Sequence, residues 1–306
     1  MPSRVHSGEP GRGHSSGPGT RPGRPPVTPG SIPLRPLSVG EILDGTFATI
    51  RRNPRTALGL SAIFVTVQQL LTVVAEALAG QLPAPVINVS QGSSAELGAT
   101  VTGGIGWLLA AIVGAVLTGM IVVVVSEDVL GRRTSIREVV RAVRPRLGAL
   151  VLAAVLAGTL PYLGLVLLVL PGVFLWGAWA LTTPALIIEG LGPVRALRRS
   201  WRLAVPAFWS VWGIRALSVL IGLLMQAILV LPFVVVASGL ASVLDPAAPG
   251  LLPLVLVLTV LGNIVAGTVV SPFLAGVQAL LYVDRRMRAE GLDIIWQRQL
   301  ALGGAR

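Results

Sequence analysis

Six long apolar segments constrain this chain more than any other feature. They occupy residues 57–82, 104–125, 147–170, 173–188, 214–237 and 251–277. A helix needs about twenty mostly apolar residues to cross the hydrocarbon core of a bilayer. The segments therefore predict an all-α fold, a polytopic membrane helical bundle of about six transmembrane helices.

The third and fourth segments are the least regular of the six. Pro161 interrupts the third segment, and the fourth is short and contains Pro184. Pro171 and Gly172 separate the two segments and predict the turn between them. Because proline removes a backbone donor, we expect this pair of spans to be kinked or partly re-entrant.

Composition argues against several classes of function. The chain is 53% hydrophobic, contains no cysteine, and has only two histidines, His6 and His14, both near its start. The apolar body therefore lacks a thiolate nucleophile, a histidine base and a histidine metal ligand. We predict a non-enzymatic protein with no catalytic residue, no metal site and no cofactor.

Arginine marks one side of the predicted membrane domain. The connections at 83–103, 171–172 and 238–250 contain none, whereas the N-terminal region, 127–146, 189–215 and the C-terminus contain all of them. Because basic residues at span ends stay in the cytoplasm, this alternation predicts a cytoplasmic-membrane protein with both termini cytoplasmic. Nucleic acid is not an expected partner, since the arginines border apolar segments and not a folded soluble surface.

The chain divides into three regions. Residues 1–34 are rich in Gly, Pro, Ser and Arg and predict a disordered cytoplasmic tail without the apolar stretch of a signal peptide. Residues 35–302 form the predicted six-helix membrane domain. Residues 303–306 form a short C-terminal tail.

A short amphipathic pattern precedes each odd-numbered span. The first begins with Ser38 and Glu41 and the second with Ser135 and Glu138, both spaced as capping boxes. The third begins at Gly192-Pro193, with proline placed for the first helical position. We predict three cytoplasmic interfacial helices, each followed by a transmembrane hairpin.

Three stretches of the chain resemble one known family. They read PLSVGEILDG at 36–45, EG at 189–190 with ALRRSWRL at 196–203, and LYVDRR at 281–286 with EG at 290–291. They are similar to the uncharacterised membrane-domain family named after glycerophosphoryl diester phosphodiesterases, in its stand-alone bacterial form, over about residues 35–297. The resemblance implies that any phosphodiesterase chemistry belongs to a separate soluble barrel, so no catalytic residue is transferred to this chain.

Polar residues inside the spans are the first candidate site, because such residues are costly in lipid. Gln69, Thr72 and Glu76 share one face of the first span and, with Asn263 in the sixth, could line a path for a substrate or a proton. The alternative is that Glu76 reaches water at the outer end and the amides bond neighbouring helices. We also expect such interhelical bonding for Gln226.

A second candidate site follows the fourth span. This segment contains Arg195, Arg198, Arg199, Arg202 and Trp201. Arginines on a surface helix bind phosphates bidentately, which predicts contacts with anionic lipid headgroups. Membrane topology alone would also explain the same arginines.

Tryptophan predicts the two membrane interfaces. Trp107, Trp176 and Trp179 are expected at the outer interface, and Trp201, Trp209 and Trp212 at the inner one. Such belts are typical of membrane proteins, because the indole ring suits the headgroup region. We interpret these residues as anchors and not as a binding cage.

Three functions follow from these observations. The first is a scaffold, accessory subunit or lipid-associated factor, with membrane lipids and an unknown protein as partners. The second is a transporter or lipid-moving protein that uses the polar face of the first span with Asn263. The third, suggested only by the resemblance, is a membrane partner of a separate glycerophosphodiester phosphodiesterase.

Overall fold

The computed structural model of the protein describes residues 37–78, 93–129, 131–244 and 250–290. Regular structure in these ranges is helical throughout and includes no strand. The predicted all-α fold is therefore confirmed. The predicted tails, residues 1–34 and 303–306, lie outside the described ranges, so the division into three regions stays a prediction.

The described ranges contain ten α-helices. In chain order they are α1 (Val39–Arg52), α2 (Pro54–Leu78), α3 (Ser93–Val129), α4 (Ile136–Val143), α5 (Leu147–Leu167), α6 (Val169–Ala178), α7 (Thr182–Glu189), α8 (Pro193–Ala204), α9 (Phe208–Val243) and α10 (Leu251–Glu290). Single 3-10 turns at Arg144–Arg146 and Val205–Ala207 join α4 to α5 and α8 to α9.

Six helical stretches are long and apolar enough to cross a membrane. They contain α2, α3, α5, the pair α6 and α7, α9, and α10. Leu223, Ile228 and Val257 on α9 and α10 are each more than half exposed. Apolar surface on this scale is stable against lipid. The six predicted spans are confirmed, and the chain is a multi-pass membrane protein.

The three short amphipathic helices α1, α4 and α8 begin where the sequence predicts. The Ser38 hydroxyl accepts a hydrogen bond from the Glu41 amide, and the Glu41 carboxylate accepts one from the Ser38 amide. Ser135 and Glu138 repeat this capping box in α4. Pro193 occupies the first position of α8. The two capping boxes satisfy backbone amides that the first turn leaves free, and Pro193 has no such amide and a φ suited to a helix, so these local signals decide where each helix begins.

The turn between the third and fourth spans differs from the prediction. α5 ends at Leu167, Leu168 is extended, and α6 already begins at Val169, so the turn predicted at Pro171-Gly172 is wrong. Pro171 instead occupies the first turn of α6, where its missing N–H removes no helical bond. A Cβ on Gly164 would lie 3.0 Å from the Gly172 nitrogen, so two glycines let the hairpin arms approach closely.

The fourth span is broken, in agreement with the expected irregularity. Residues 179–181 form a turn between α6 and α7. The Ser200 hydroxyl of α8 bridges this break, donating to the Ala178 carbonyl at 2.8 Å and accepting from the Leu181 amide at 3.1 Å. A side chain thereby satisfies backbone groups that the break frees, which irregular backbone within a membrane domain requires.

The predicted tryptophan belts need one correction. Trp176 and Trp212 were expected at opposite interfaces, but their ring centroids lie 6.1 Å apart. The reason is the early turn at Leu168, which places Trp176 about two helical turns inside α6. Trp212 also contacts Trp209, with ring centroids 6.5 Å apart, so these rings form one aromatic group.

Most arginines of the described ranges gather at one end of the bundle. We call it the basic end, comprising residues 37–56, 127–129, 131–147, 189–214 and 279–290. The helix α10 extends into it, well past the predicted end of the sixth span at residue 277. There α1 runs antiparallel to α10, since the Leu37 amide meets Asp284 and the Phe47 ring stacks on Phe273 at 5.0 Å.

Gly276 tests the contact between α1 and α10. A Cβ at Gly276 would lie 2.6 Å from Cγ2 of Thr46, whose side chain is buried and hydrogen-bonded to the Ile42 carbonyl. Because that side chain cannot rotate away without losing its bond, we expect Gly276→Ala to lower the free energy of unfolding by about 1–3 kcal/mol. Denaturant unfolding of the purified protein in detergent measures this loss.

The matched control is Gly114→Ala in α3. A Cβ at Gly114 would meet no atom within 4 Å. This variant should be neutral or more stable than the parent, because alanine is the better helix former. Equal stability of the two variants would contradict close packing of α1 on α10.

Candidate functional site

The helix α8 is placed at the basic end by a tight reversal after α7. Gly190 ends α7 with φ +67°, a left-handed conformation that glycine adopts without strain. Gly192 then precedes the first turn of α8, and Pro193 opens it with a φ already suited to a helix. The short connection therefore folds α8 back against the end of the fourth span.

One face of α8 is buried and the other is exposed. The buried side chains are Ala196, Ser200, Leu203 and Ala204. The exposed ones, which we call the α8 face, are Val194, Arg195, Arg198, Trp201 and Arg202. At 3.6 residues per turn, the α8 face covers an arc of about 120°. Three arginines and a tryptophan therefore share one continuous surface.

Trp201 is fixed within the α8 face. Its ring is 39% exposed and packs edge-on against Phe174 of α6, with ring centroids 5.3 Å apart. Phe174 in turn stacks on Phe208 at 5.0 Å. The exposed indole therefore packs against one phenylalanine ring that a second one supports, and this contact holds it in a defined position between the arginines.

Arg199, the fourth arginine predicted to contact headgroups, is not part of the α8 face. Its Nε and Nη2 donate to Oε1 of Glu189 at 2.9 and 2.7 Å, and Nη2 also contacts Glu290. Its side chain is 15% exposed. Arg199 lies at the edge between the two faces of α8, which directs its guanidinium to carboxylates of α7 and α10.

Glu189 is the centre of this cluster. Besides Arg199, it accepts a hydrogen bond from the Tyr282 hydroxyl, and Nε of Arg286 lies 3.7 Å from its Oε1. Arg286 also donates to Glu290 at 2.8 Å. The cluster joins α7, α8 and α10, so it fixes the direction in which the α8 face points.

Asp128 forms a second cluster between α1 and α3. Its buried carboxylate accepts hydrogen bonds from the Thr49 hydroxyl at 2.9 Å and from Nδ2 of Asn53 at 3.2 Å. Nε of Arg52 lies 3.4 Å away. Hydrogen bonds to a carboxylate are stronger than neutral ones, so this residue ties the first amphipathic helix to the second span.

Asp284 forms a third cluster between the start of α1 and the end of α10. Its buried carboxylate accepts from the Leu37 amide at 2.9 Å and from Nε of Arg288 at 2.9 and 3.1 Å. Arg288 also donates to the Leu37 carbonyl at 2.9 Å. Both backbone groups of Leu37 are thereby satisfied by α10.

The sequence did not predict these three clusters. Asp128, Glu189 and Asp284 are far apart in the chain, and each could have been an ordinary solvated charge. A usable signal exists: each is an acidic residue at the end of an apolar stretch within an arginine-rich segment. An acidic residue among arginines at the end of a span indicates a structural ion pair with an arginine of a neighbouring helix.

The polar residues of the first span lie on α2, and Asn263 lies on α10. The Thr72 hydroxyl donates to the Gln68 carbonyl of its own helix at 3.0 Å. Gln69 and Glu76 lie half-buried on the same helix, and within the described ranges neither is hydrogen-bonded to Asn263. A shared path through these four residues therefore stays a prediction.

Asn263 instead bridges two helices. Its carbonyl oxygen accepts from the Gln226 amide of α9 at 3.3 Å, and its own amide donates to the Thr259 carbonyl at 2.9 Å. This is the interhelical bond expected for these two residues. It satisfies polar groups that would otherwise face lipid.

No family model matches the chain, and no curated protein or solved structure matches it. The resemblance to the phosphodiesterase membrane-domain family therefore stays a prediction. Within the described ranges, no three His, Cys, Asp or Glu side chains are grouped as metal ligands would be. The α8 face, held by the Glu189 cluster, is the candidate site that the geometry supports.

Asp128 tests whether the buried carboxylates hold the basic end together. Replacing Asp128 with alanine leaves the buried donors of Thr49 and Asn53 without their acceptor. We expect Asp128→Ala to lower the free energy of unfolding by about 3 kcal/mol. Denaturant unfolding in detergent measures the change.

The neighbouring residue provides the control. Glu127 pairs with Arg132 at 3.6 Å, and the Arg132 side chain is 72% exposed. An exposed pair of this kind contributes little, so Glu127→Ala should cost less than about 1 kcal/mol. A similar loss in both variants would show that general charge removal, and not the buried cluster, determines stability.

Proposed function

We propose that this chain is a non-enzymatic protein of the cytoplasmic membrane that binds anionic lipid headgroups through the α8 face and acts as a scaffold or accessory factor there. The observation behind this proposal is the surface of α8 itself, on which Arg195, Arg198 and Arg202 lie exposed beside Trp201. A guanidinium binds a phosphate through two parallel hydrogen bonds. An exposed indole suits the headgroup level of a bilayer.

The ion pairing of the arginines supports the proposal. Within the described ranges, Arg195, Arg198 and Arg202 form no ion pair, in contrast with Arg199 and Arg286, which are bound to carboxylates. Their donors therefore stay available to an external anion. Arginines at an anionic leaflet each contribute about 1 kcal/mol of attraction.

The proposed orientation places the basic end in the cytoplasm. Basic residues near transmembrane ends are retained on that side, where anionic lipids give the surface a negative potential. The clusters of Glu189, Asp128 and Asp284 support a scaffold role, because they hold two of the amphipathic helices, α1 and α8, at one end of the bundle.

The two other functions have less support. A transport path would use the polar residues of the first span together with Asn263, and among the described residues the side-chain partner of Asn263 is Gln226. Recruitment of a separate glycerophosphodiester phosphodiesterase rests on the family resemblance alone. The scaffold and lipid-binding role is therefore the function that the geometry favours.

Lipid selectivity tests the α8 face. In proteoliposomes, electron spin resonance of spin-labelled phosphatidylglycerol and phosphatidylcholine measures how strongly the protein prefers the anionic lipid. We expect the triple variant Arg195→Gln, Arg198→Gln, Arg202→Gln to reduce this preference by at least about fivefold, because the loss of even one attraction of about 1 kcal/mol at the headgroup level has that effect.

A second triple variant distinguishes binding at the α8 face from the effect of net charge. Arg132, Arg133 and Arg137 are also exposed at the basic end but lie outside α8. Their replacement by glutamine removes the same total charge and should change the preference less. An equal decrease in the two triple variants would show that the arginines act through net charge alone, and would overturn the α8 face as a binding site.

Cysteine labelling tests the orientation, since the chain contains no cysteine of its own. Arg137 at the basic end and Val243 at the far end of α9 are both exposed. In intact spheroplasts, a membrane-impermeant maleimide should label Val243→Cys and leave Arg137→Cys unlabelled until the membrane is permeabilised. The opposite pattern would place the basic end outside the cell.

A further inference from the structure

Arg215 lies inside the bundle, although its place in the sequence suggested the flank of the fifth span. Ser210, five residues earlier on α9, contacts Arg285 at the basic end. At 1.5 Å per residue, Arg215 is about 7.5 Å deeper than that contact. Its Nη1 donates to the Trp176 carbonyl, and its guanidinium lies 4.2 Å from the centre of the Trp176 ring.

A cavity of about 500 Å³ adjoins Arg215. It lies between α3, α5, α6 and α9, and its walls are mostly small or apolar residues such as Ala111, Ala157 and Gly158. Larger side chains with polar groups, Tyr162, Trp176, Trp212 and Arg215, also line it. Ligand pockets typically enclose about 300–1,000 Å³ and combine apolar walls with a few polar groups.

The cavity contains a positive charge without a matching negative one. Among the described residues, Arg215 forms no ion pair with a carboxylate; a single carbonyl and an aromatic ring are its recorded partners. A charge in apolar surroundings is costly unless it is paired. The remaining guanidinium donors of Arg215 therefore favour an anion in the cavity.

Trp212 provides a second, independent indication. Its Nε1 is buried and has no hydrogen-bond partner. A buried indole N–H usually has an acceptor, and Trp212 lines the same cavity as Arg215. Trp212 therefore adds an unsatisfied indole donor to the wall of this cavity, three residues from Arg215 on the same helix.

The cavity has a lipid-facing rim. Tyr162 lines it and is 42% exposed on α5, a membrane-spanning helix. A molecule with an anionic head could therefore enter sideways from the bilayer and leave its acyl chains among the lipids. The small depth of Arg215 below the basic end matches the level at which phosphate groups of that leaflet lie.

We propose that this cavity binds the phosphate group of an anionic amphiphile, with Arg215 as the charged partner and Trp212 as an additional donor. The site is separate from the α8 face, since it shares none of that surface's residues, and it goes beyond the proposed function by assigning an intramembrane ligand. The shared chemistry is an anionic phosphate group, which a membrane lipid or free inorganic phosphate could supply.

Native mass spectrometry of the full-length protein in mild detergent tests this proposal. The titrations use dioleoylphosphatidylglycerol, with dioleoylphosphatidylcholine as the neutral lipid, and start from the Arg195, Arg198, Arg202 triple glutamine variant. This background removes binding to the α8 face, so a failure of the cavity and a failure of the proposed function give different results.

The triple variant should still retain phosphatidylglycerol and not phosphatidylcholine. Adding Arg215→Gln, which keeps an amide donor near the Trp176 carbonyl but removes the charge, should weaken phosphatidylglycerol binding by about tenfold or more. The control Arg137→Gln, at an exposed position on α4, should leave binding unchanged. Unchanged binding after Arg215→Gln, or no retained phosphatidylglycerol in the triple variant, would overturn the site.

Two further arms complete the test. Displacement of the lipid by millimolar inorganic phosphate would show that the cavity accepts phosphate from either source, and no displacement would show that it requires the lipid.

If Arg215→Gln does not elute as a monodisperse protein, Ala157→Phe replaces it, because this change fills the cavity and leaves the charge in place. Retention of phosphatidylglycerol by Ala157→Phe would then reject the proposal.

Discussion

Each of three carboxylates at the basic end, on Asp128, Glu189 and Asp284, accepts a hydrogen bond from a part of the chain outside its own helix. Apolar packing between helices is weakly directional in a membrane, because lipid tails are as apolar as the side chains. Hydrogen bonds to charged groups have a defined geometry, so they fix how neighbouring helices are oriented. The positions of α1, α8 and the end of α10 follow from these contacts, and so does the surface that each helix exposes.

The excess of arginine then has two separate roles. Arg199 and Arg286 are neutralised by carboxylates and belong to the architecture. Arg195, Arg198 and Arg202 face outwards on the same short helix that contains Arg199. Arg198 and Arg199 are neighbours in α8, yet Arg199 binds carboxylates inside the protein and Arg198 faces outwards. Residue type and net charge do not reveal this difference.

The sequence predicts those features that depend on local signals. Six apolar stretches, two capping boxes and Pro193 after Gly192 define the spans and the short helices, because each signal acts within a few residues. The turn at Leu168 and the meeting of Trp176 with Trp212 were not predictable in this way. They depend on how closely Gly164 can approach Gly172, which is a property of the packed hairpin.

The hydroxyl of Ser200 has a mechanical consequence. It holds both ends of the break in the fourth span, at Ala178 and Leu181, while it belongs to the helix whose opposite face displays the arginines. Trp176, less than one turn before Ala178, is the residue that Arg215 contacts. The Ser200 hydroxyl and the contact of Trp201 with Phe174 thus couple α8 to a wall of the cavity, so a displacement of the outer helix is passed on to the interior.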